Sequence, residues 1–232
     1  MTESNLPKLS APWTNRLRAR RDLLIWWWAT RRLPLLKRSL DLALVVPALL
    51  LLTPLFLLVA LAIKFHDRGP VLFWQKRIGR HGHEFGFPKF RSMCTNAEAI
   101  RAALVSNNQH GSDGVTFKMK RDPRITPIGR LIRRSSIDEL PQLWCVLRGD
   151  MSLVGPRPPL VSEVARYTMR ERQRLAVVPG LTCIWQVSGR SEIPFPQQVL
   201  MDIDYIQKRS FVGDVKLIAK TLPAIIGGRG AY

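Results

Sequence analysis

The residues best suited to chemistry are Asp138 and Glu139, adjacent carboxylates in the run Ser135-Ser136-Ile137-Asp138-Glu139-Leu140-Pro141-Gln142, with Arg133 and Arg134 just before them. A carboxylate can attack an electrophilic centre, carry a proton or help hold a hard metal ion. The run also has a purely structural reading. Ser136-x-x-Glu139 is a capping box, and acidic side chains suit a first helical turn, where the helix dipole is positive. Pro141 weighs against that reading, because proline fits poorly as a fifth helical residue and well as a first one. The spacing therefore predicts an exposed lead-in turn carrying Asp138 and Glu139, with helix over about 136–147.

Two further segments could meet an anion. In Gly155-Pro156-Arg157-Pro158, prolines on both sides of Arg157 fix the backbone around one guanidinium. Such an arginine can grip a phosphate with two parallel hydrogen bonds, or serve in a structural ion pair. Val178 to Arg190 follows, and then Asp202-x-x-Tyr205. No GxxxxGK[ST] and no GxGxxG occurs, so kinase and dinucleotide readings lose their usual phosphate cradle. His81 and His83 share a turn without partner ligands and read as solvated. Cys94, Cys145 and Cys183 are far apart with no CxxC pair, which argues against a zinc site or a disulfide framework.

Something must position these residues, and the most conspicuous element lies upstream. Leu42 to Ile63 is a run of 22 residues without a charge. At about 1.5 Å per residue it reaches roughly 33 Å as a straight helix, enough to cross a bilayer core. It starts too far into the chain and runs too long for a signal peptide. Pro47 and Pro54 each remove a backbone donor, and Thr53 can bond back to a carbonyl one turn earlier, which favours a bend. Residues 1–40 carry nine basic side chains against Glu3 and Asp22, and Lys64, Arg68, Lys76, Arg77 and Arg80 follow the run. A straight span would export one basic flank, against the positive-inside rule. A re-entrant helix bent at Thr53-Pro54 keeps both flanks on the cytoplasmic side. Trp13, Trp26, Trp27 and Trp28, interleaved with arginines, suit a headgroup layer.

Downstream, Val71–Gln75 reads as a strand paired with Glu84–Met93 across a Gly/His-rich turn. Thr95-x-x-Glu98 opens a helix to about Ser106, and 107–114 is polar loop. Helices are expected over about 161–175, 197–208 and 213–226. The 232 residues carry 36 Lys and Arg against 17 Asp and Glu, a formal net charge of +19. Such a balance calls for a polyanion: nucleic acid, an anionic membrane surface or phosphorylated substrates. Nucleic acid is disfavoured, since stacking aromatics are nearly absent from the basic stretch Lys118–Arg134 and four of the tryptophans crowd the amino-terminal arm.

Taken in order, five markers resemble the bacterial sugar transferase family. These are the monotopic phosphoglycosyl transferases that start polysaccharide assembly on a polyprenyl phosphate. The markers are the hydrophobic segment with its central proline, Lys89-Phe90-Arg91-Ser92-Met93, Asp138-Glu139-Leu140-Pro141-Gln142, Asp150-Met151-Ser152 through Pro156-Arg157-Pro158, and Gln186-Val187-Ser188-Gly189-Arg190. The resemblance runs from about Lys37 to the C-terminus. It implies that Asp138 attacks the β-phosphorus of a UDP-hexose, expelling UMP, and that undecaprenyl phosphate then takes the phosphosugar from the enzyme. Glu139 is implied to help hold Mg²⁺, beside Asp138, or to manage the acceptor's proton. Lys89, Arg133, Arg157 and Arg190 are implied around the diphosphate, and Asp202 matches an acidic position grouped with them. Thr53-Pro54 stands where the family often has Ser-Pro, and Cys183 where glycine is common. The ending Gly228-Arg229-Gly230-Ala231-Tyr232 resembles the hexose-1-phosphate branch.

The expectation is a helix-rich α+β monotopic membrane protein with a compact cytosolic catalytic domain. Residues 1–36 form a basic Trp-rich surface arm, 37–66 a re-entrant helix and 67–232 the transferase domain, in a form without a preceding multi-helix membrane domain. It would sit on the cytoplasmic face of the bacterial inner membrane, against anionic lipids, and a homodimer is compatible with the sequence. The rival enzyme class is a glycosyltransferase that attacks the anomeric carbon and releases UDP.

Overall fold

A computed structural model of the chain describes residues 33–97, 99–100, 122–189 and 192–226. The tryptophan-rich arm, most of the Thr95–Ser106 helix and its Glu98, the 107–114 loop, Lys118, Lys120, Arg121, Arg190 and the 228–232 ending lie outside the described residues.

The apolar run forms part of one long helix, α1, over Leu33–Asp67, helical through both Pro47 and Pro54. Thr53 Oγ1 donates to the Leu49 carbonyl at 2.8 Å, the back-bond expected just ahead of Pro54. One face of α1 lies on the rest of the protein along its length. Asp41, Val45, Val59 and Ile63 are buried, and Leu49, Leu52, Leu55 and Phe56 fill the stripe between them. The opposite face is apolar and bare, with Leu51 and Phe65 each 80% exposed. A helix with two apolar faces has two apolar neighbours: here one is protein, and the other face is free for lipid.

The polar ends of α1 are fastened as well. Lys37 Nζ donates to Asp214 Oδ2 at 2.6 Å and to the Val154 carbonyl at 2.7 Å. Arg38 caps the carbonyls of Val146 and Leu147 at 2.6 and 2.7 Å, and the Leu153 amide donates to Asp41 Oδ1 at 2.9 Å. Two of the nine charges assigned to the membrane flank are therefore internal fasteners. At the other end, Arg91 pairs with Asp67.

The expected hairpin is present as β1 (Leu72–Ile78) and β2 (Glu84–Phe90), antiparallel, with Phe73 opposite Lys89, Gln75 opposite Phe87 and Arg77 opposite Phe85. Opposed residues share a face, so Gln75, Arg77 and Lys89 lie together. His81 and His83 in the turn are exposed. The next element was not expected: α2, Pro127–Arg134, starts with Pro127 in its first turn and Thr126 as a cap accepting from the Gly129 amide at 2.9 Å.

The single helix expected over 136–147 is instead a 3-10 helix, Ile137–Gln142, followed by α3, Leu143–Arg148. Pro141 lies inside the 3-10 segment and is buried. The capping box does not form, because Ser136 is left-handed at φ 56° and its hydroxyl caps nothing. A second pair of strands, β3 (Ser152–Val154) and β4 (Gly180–Thr182), runs parallel. Their backbones touch: a Cβ on Gly180 would lie 2.0 Å from the Gly155 nitrogen, so only glycine allows this approach. The contact fixes the start of the Pro156-Arg157-Pro158 segment.

The helix expected over 161–175 is broken into α4 (Val161–Val164), α5 (Met169–Arg172) and a 3-10 turn, Gln173–Ala176. Thr168 causes the break, opening a new capping box with Glu171. A short α6, Ile184–Ser188, precedes α7, Phe195–Lys208, and α8, Phe211–Ile226, which match the last two expected helices. Cys94, Cys145 and Cys183 are all unpaired.

Candidate active site

Three elements converge on Glu139. Strand β2 brings Lys89, whose Nζ donates to Glu139 Oε1 at 2.8 Å. The proline-flanked segment brings Arg157, whose Nη2 donates to the same oxygen at 2.6 Å, while Nη1 lies 3.4 Å from Oε2. The 3-10 helix supplies the carboxylate itself. With three residues per turn, consecutive side chains project about a third of a turn apart, so Asp138 and Glu139 look in different directions. The left-handed Ser136 makes this possible by turning the chain sharply out of α2.

The two carboxylates consequently differ in chemistry. Burial alone would raise the Glu139 carboxyl, but Arg157 and Lys89 outweigh it and hold the group well below the ordinary carboxylate range. Glu139 is a fixed anion at neutral pH and is poorly suited to carrying a proton. Asp138 is 8% exposed, and no hydrogen bond engages its carboxylate among the described residues. Burial first, and the charge of Glu139 second, push it up to about 6, against the opposing pull of Lys89, Arg133 and Arg157. The expected exposed turn is thus half-buried with Asp138 itself buried, and that burial makes Asp138 unusually basic. Two neighbouring carboxylates whose affinities for protons are driven apart have separate tasks.

The cations are shaped by the same cluster. Burial lowers Lys89, while Arg157 is raised because Glu139 more than offsets its burial. Arg77 also reaches this cluster, which the sequence did not indicate. Its Nη1 donates to the Pro158 carbonyl at 3.0 Å, and its Nε and Nη2 donate to Gln75 Oε1 at 3.1 and 2.8 Å. The signal that could have found it is strand alternation, which sets Gln75 and Arg77 on the face that carries Lys89.

Asp202 is not brought to Glu139. It is 1% exposed, and its Oδ2 accepts from Arg174 Nε at 2.8 Å and Nη2 at 2.7 Å. Arg174 in turn donates from Nη1 to the Tyr167 hydroxyl at 2.9 Å. Asp202 is thus held in a buried pair with Arg174, apart from the residues gathered on Glu139. Arg133 acts on Asp138 through its charge.

Among the described residues, no three His, Cys, Asp or Glu side chains form a metal cage. Mg²⁺ does not require such a cage, since it keeps several waters and takes one or two carboxylates along with substrate phosphates. Glu139 Oε2, with only the long Arg157 contact, retains acceptor capacity, and Asp138 feels the Glu139 charge.

The site is thus a paired-carboxylate centre with cations gathered on Glu139, in a protein whose long apolar helix leaves its outer face bare. The chain belongs to the bacterial sugar transferase family, whose model matches residues 32–228. It is 39% identical over 198 residues to the exopolysaccharide production protein ExoY of Sinorhizobium fredii, covering 84% of this chain and 88% of that protein. It is 49% identical over 166 residues to the galactosyl transferase CpsE of Streptococcus agalactiae, covering 71% of this chain and 36% of CpsE. A third relative, the undecaprenyl-phosphate galactose phosphotransferase of Salmonella typhimurium, is 38% identical over 206 residues, covering 88% of this chain and 43% of that protein. The chain thus spans nearly all of ExoY and less than half of the other two.

Proposed function

We propose that this protein is a phosphoglycosyl transferase that moves a hexose-1-phosphate from a UDP-hexose to undecaprenyl phosphate. In the first step an Asp138 oxygen forms a bond to the β-phosphorus, the bond from that phosphorus to the bridging oxygen breaks, and UMP departs. In the second, an oxygen of the lipid phosphate attacks the same phosphorus and Asp138 leaves as a carboxylate. The lipid diphosphate sugar so formed would begin a polysaccharide repeat unit. The observation that carries this reading is the asymmetry of the pair. Asp138 is basic and, among the described residues, unengaged by hydrogen bonds, which leaves its oxygens available for attack, whereas Glu139 is ionised and organises the cations that balance phosphoryl charge.

Relatives' names support the substrate class and divide over the sugar. One is an undecaprenyl-phosphate galactose phosphotransferase, and one from Komagataeibacter xylinus is the corresponding glucose enzyme. Mg²⁺, held by Glu139 Oε2 with Asp138 beside it, would supply further neutralisation of the donor diphosphate. Incubation with undecaprenyl phosphate and a panel of UDP-sugars should release UMP, with the best rate from UDP-glucose or UDP-galactose. EDTA should abolish that release and Mg²⁺ restore it. Release of UDP would instead identify attack at the anomeric carbon.

The membrane helix is read as re-entrant, entering and leaving at the cytoplasmic face of the inner membrane. Support comes from α1 lying against the catalytic domain from Asp41 to Ile63, about 33 Å of helix. A perpendicular span of that length would drag the domain's polar surface into the hydrocarbon. In a variant lacking the native cysteines, single cysteines placed at Ser4 and at Gly228 should both resist an impermeant thiol reagent in intact cells. Both should react once the membrane is opened, and labelling at Ser4 in intact cells would show a straight span.

A further inference from the structure

Lys89 and Arg157, the two described cations nearest to Glu139, are both already engaged by its carboxylate. Arg77 is different. Its three hydrogen bonds run to neutral acceptors, the Gln75 amide oxygen and the Pro158 carbonyl. No carboxylate lies within ion-pair distance of it among the described residues. A guanidinium has five N–H groups, so two remain unused. Arg77 nonetheless feels Arg157 as a like charge and Glu163, then Glu139, as opposite ones, which places it at the edge of the same cluster. A half-buried cation next to another cation, with no carboxylate at ion-pair distance among the described residues, gains when an anion arrives. Burial and Arg157 accordingly push it down to about 10.

The local structure spends effort on holding that guanidinium still. Gln75 grips it along the Nε–Nη2 edge, from the next position on the same face of β1. The guanidinium carbon lies 5.2 Å from the centre of the Phe87 ring directly across from Gln75. The Pro158 carbonyl fixes Nη1, and the Ile78 amide bonds the Pro159 carbonyl at 3.0 Å, so strand and proline segment are stitched together. The unused N–H groups therefore have a set direction, which is what a planar fork needs to take two oxygens of one phosphate.

We propose that Arg77 is a further donor-binding residue of this site, a guanidinium preset by Gln75 and Pro158 to take a phosphate oxygen of the nucleotide. Gln75 is its positioning residue. The proposal rests on the reading of the protein as a UDP-sugar-dependent transferase, and it accounts for the cluster's excess of positive charge. Lys89, Arg157 and Arg77 carry three positive charges against the carboxylates of Asp138 and Glu139, so these five groups keep a net positive charge toward a diphosphate.

The test separates binding from chemistry. In full-length protein carrying Asp138→Asn, so that nothing turns over, titrations with uridine, UMP and UDP-glucose are followed by calorimetry in detergent micelles. Arg77→Met should weaken UMP and UDP-glucose by at least tenfold and leave uridine unchanged, and Arg77→Lys should recover only part of the loss. Gln75→Leu keeps the charge and frees its direction. In an otherwise native enzyme it should raise KM for the UDP-sugar several-fold without changing KM for undecaprenyl phosphate. Equal affinity of Arg77→Met for UMP, or equal weakening of uridine and UMP, would overturn the proposal. If Arg77→Met fails to fold, an unchanged KM in Gln75→Leu overturns it alone. Failure of the wider reading looks different: the parent protein would bind UMP through Arg77, yet no UDP-sugar would yield UMP on addition of the lipid phosphate.

Discussion

Asp138→Asn should eliminate transfer, by a factor of at least about 10³, and no phosphosugar should remain attached to the protein after incubation with UDP-hexose alone. An amide oxygen is a far weaker nucleophile than a carboxylate, and no second side chain can replace it, because Glu139 is tied to Lys89 and Arg157. The same variant should be more stable than the parent. Asp138 pays for its basicity, since a carboxyl raised from 3.8 to about 6 has its charged form disfavoured by the fold. The stability this group supplies is complete below its unfolded value near 4 and is lost as pH rises through about 6. Two units correspond to about 3 kcal/mol at most. At pH 8 the asparagine protein should therefore melt roughly 5–10 °C above the parent, and at pH 4 the difference should shrink. Parent activity should follow the opposite course, climbing through pH 6 as the nucleophile ionises. Near-parent turnover in a folded Asp138→Asn protein, or a lower melting point at pH 8, would remove Asp138 from this role.

Much of this site was legible because its chemistry rests on short, ordered segments. The Lys89 strand, the Asp138-Glu139 pair and the proline-flanked Arg157 are each recognisable in one dimension, and the structure brings all three to a single point. The hairpin was readable from alternation, and α7 and α8 from period. What escaped was set by tertiary contact. The basic stretch was read only as a run of charge, yet Pro127 opens α2 and Gly129 lets it approach Ser92, where a Cβ would meet the carbonyl oxygen at 1.9 Å. Ser136-x-x-Glu139 has the letters of a capping box. Glu139 is nonetheless drawn away by two cations far off in sequence, and no local pattern announces that competition. The three-residue strands β3 and β4 are too short for periodicity to reveal. Arg77 was counted only as a flanking charge, since its meaning depends on strand register.

Asp202 is the residue whose sequence-level grouping and structural position differ most, and the difference can be measured. Its carboxylate and the Arg174 guanidinium are both nearly sealed from solvent, and Arg174 is further enclosed by Tyr167 and the Phe195 ring, 5.6 Å from its guanidinium carbon. Removing one partner of a buried pair leaves the other charge without compensation, a loss of about 3–5 kcal/mol. Asp202→Ala should therefore lower the melting temperature by roughly 10 °C. Removing both charges should restore much of it, because the pair's own desolvation also disappears: Arg174→Met with Asp202→Leu should melt well above Asp202→Ala alone. Kinetics supply the second criterion. Assayed at a temperature where Asp202→Ala remains folded, a positioning role leaves KM for the UDP-sugar near the parent value. A substrate-contacting role predicts the reverse pattern, a KM raised tenfold or more with melting unchanged. The pair ties α7 to the 3-10 turn that ends at Ala176, just ahead of Val177, Pro179 and the Gly180 contact that seats the Arg157 segment. Through that connection the Asp202 carboxylate can govern where Arg157 stands, by fixing the backbone on which its segment is built.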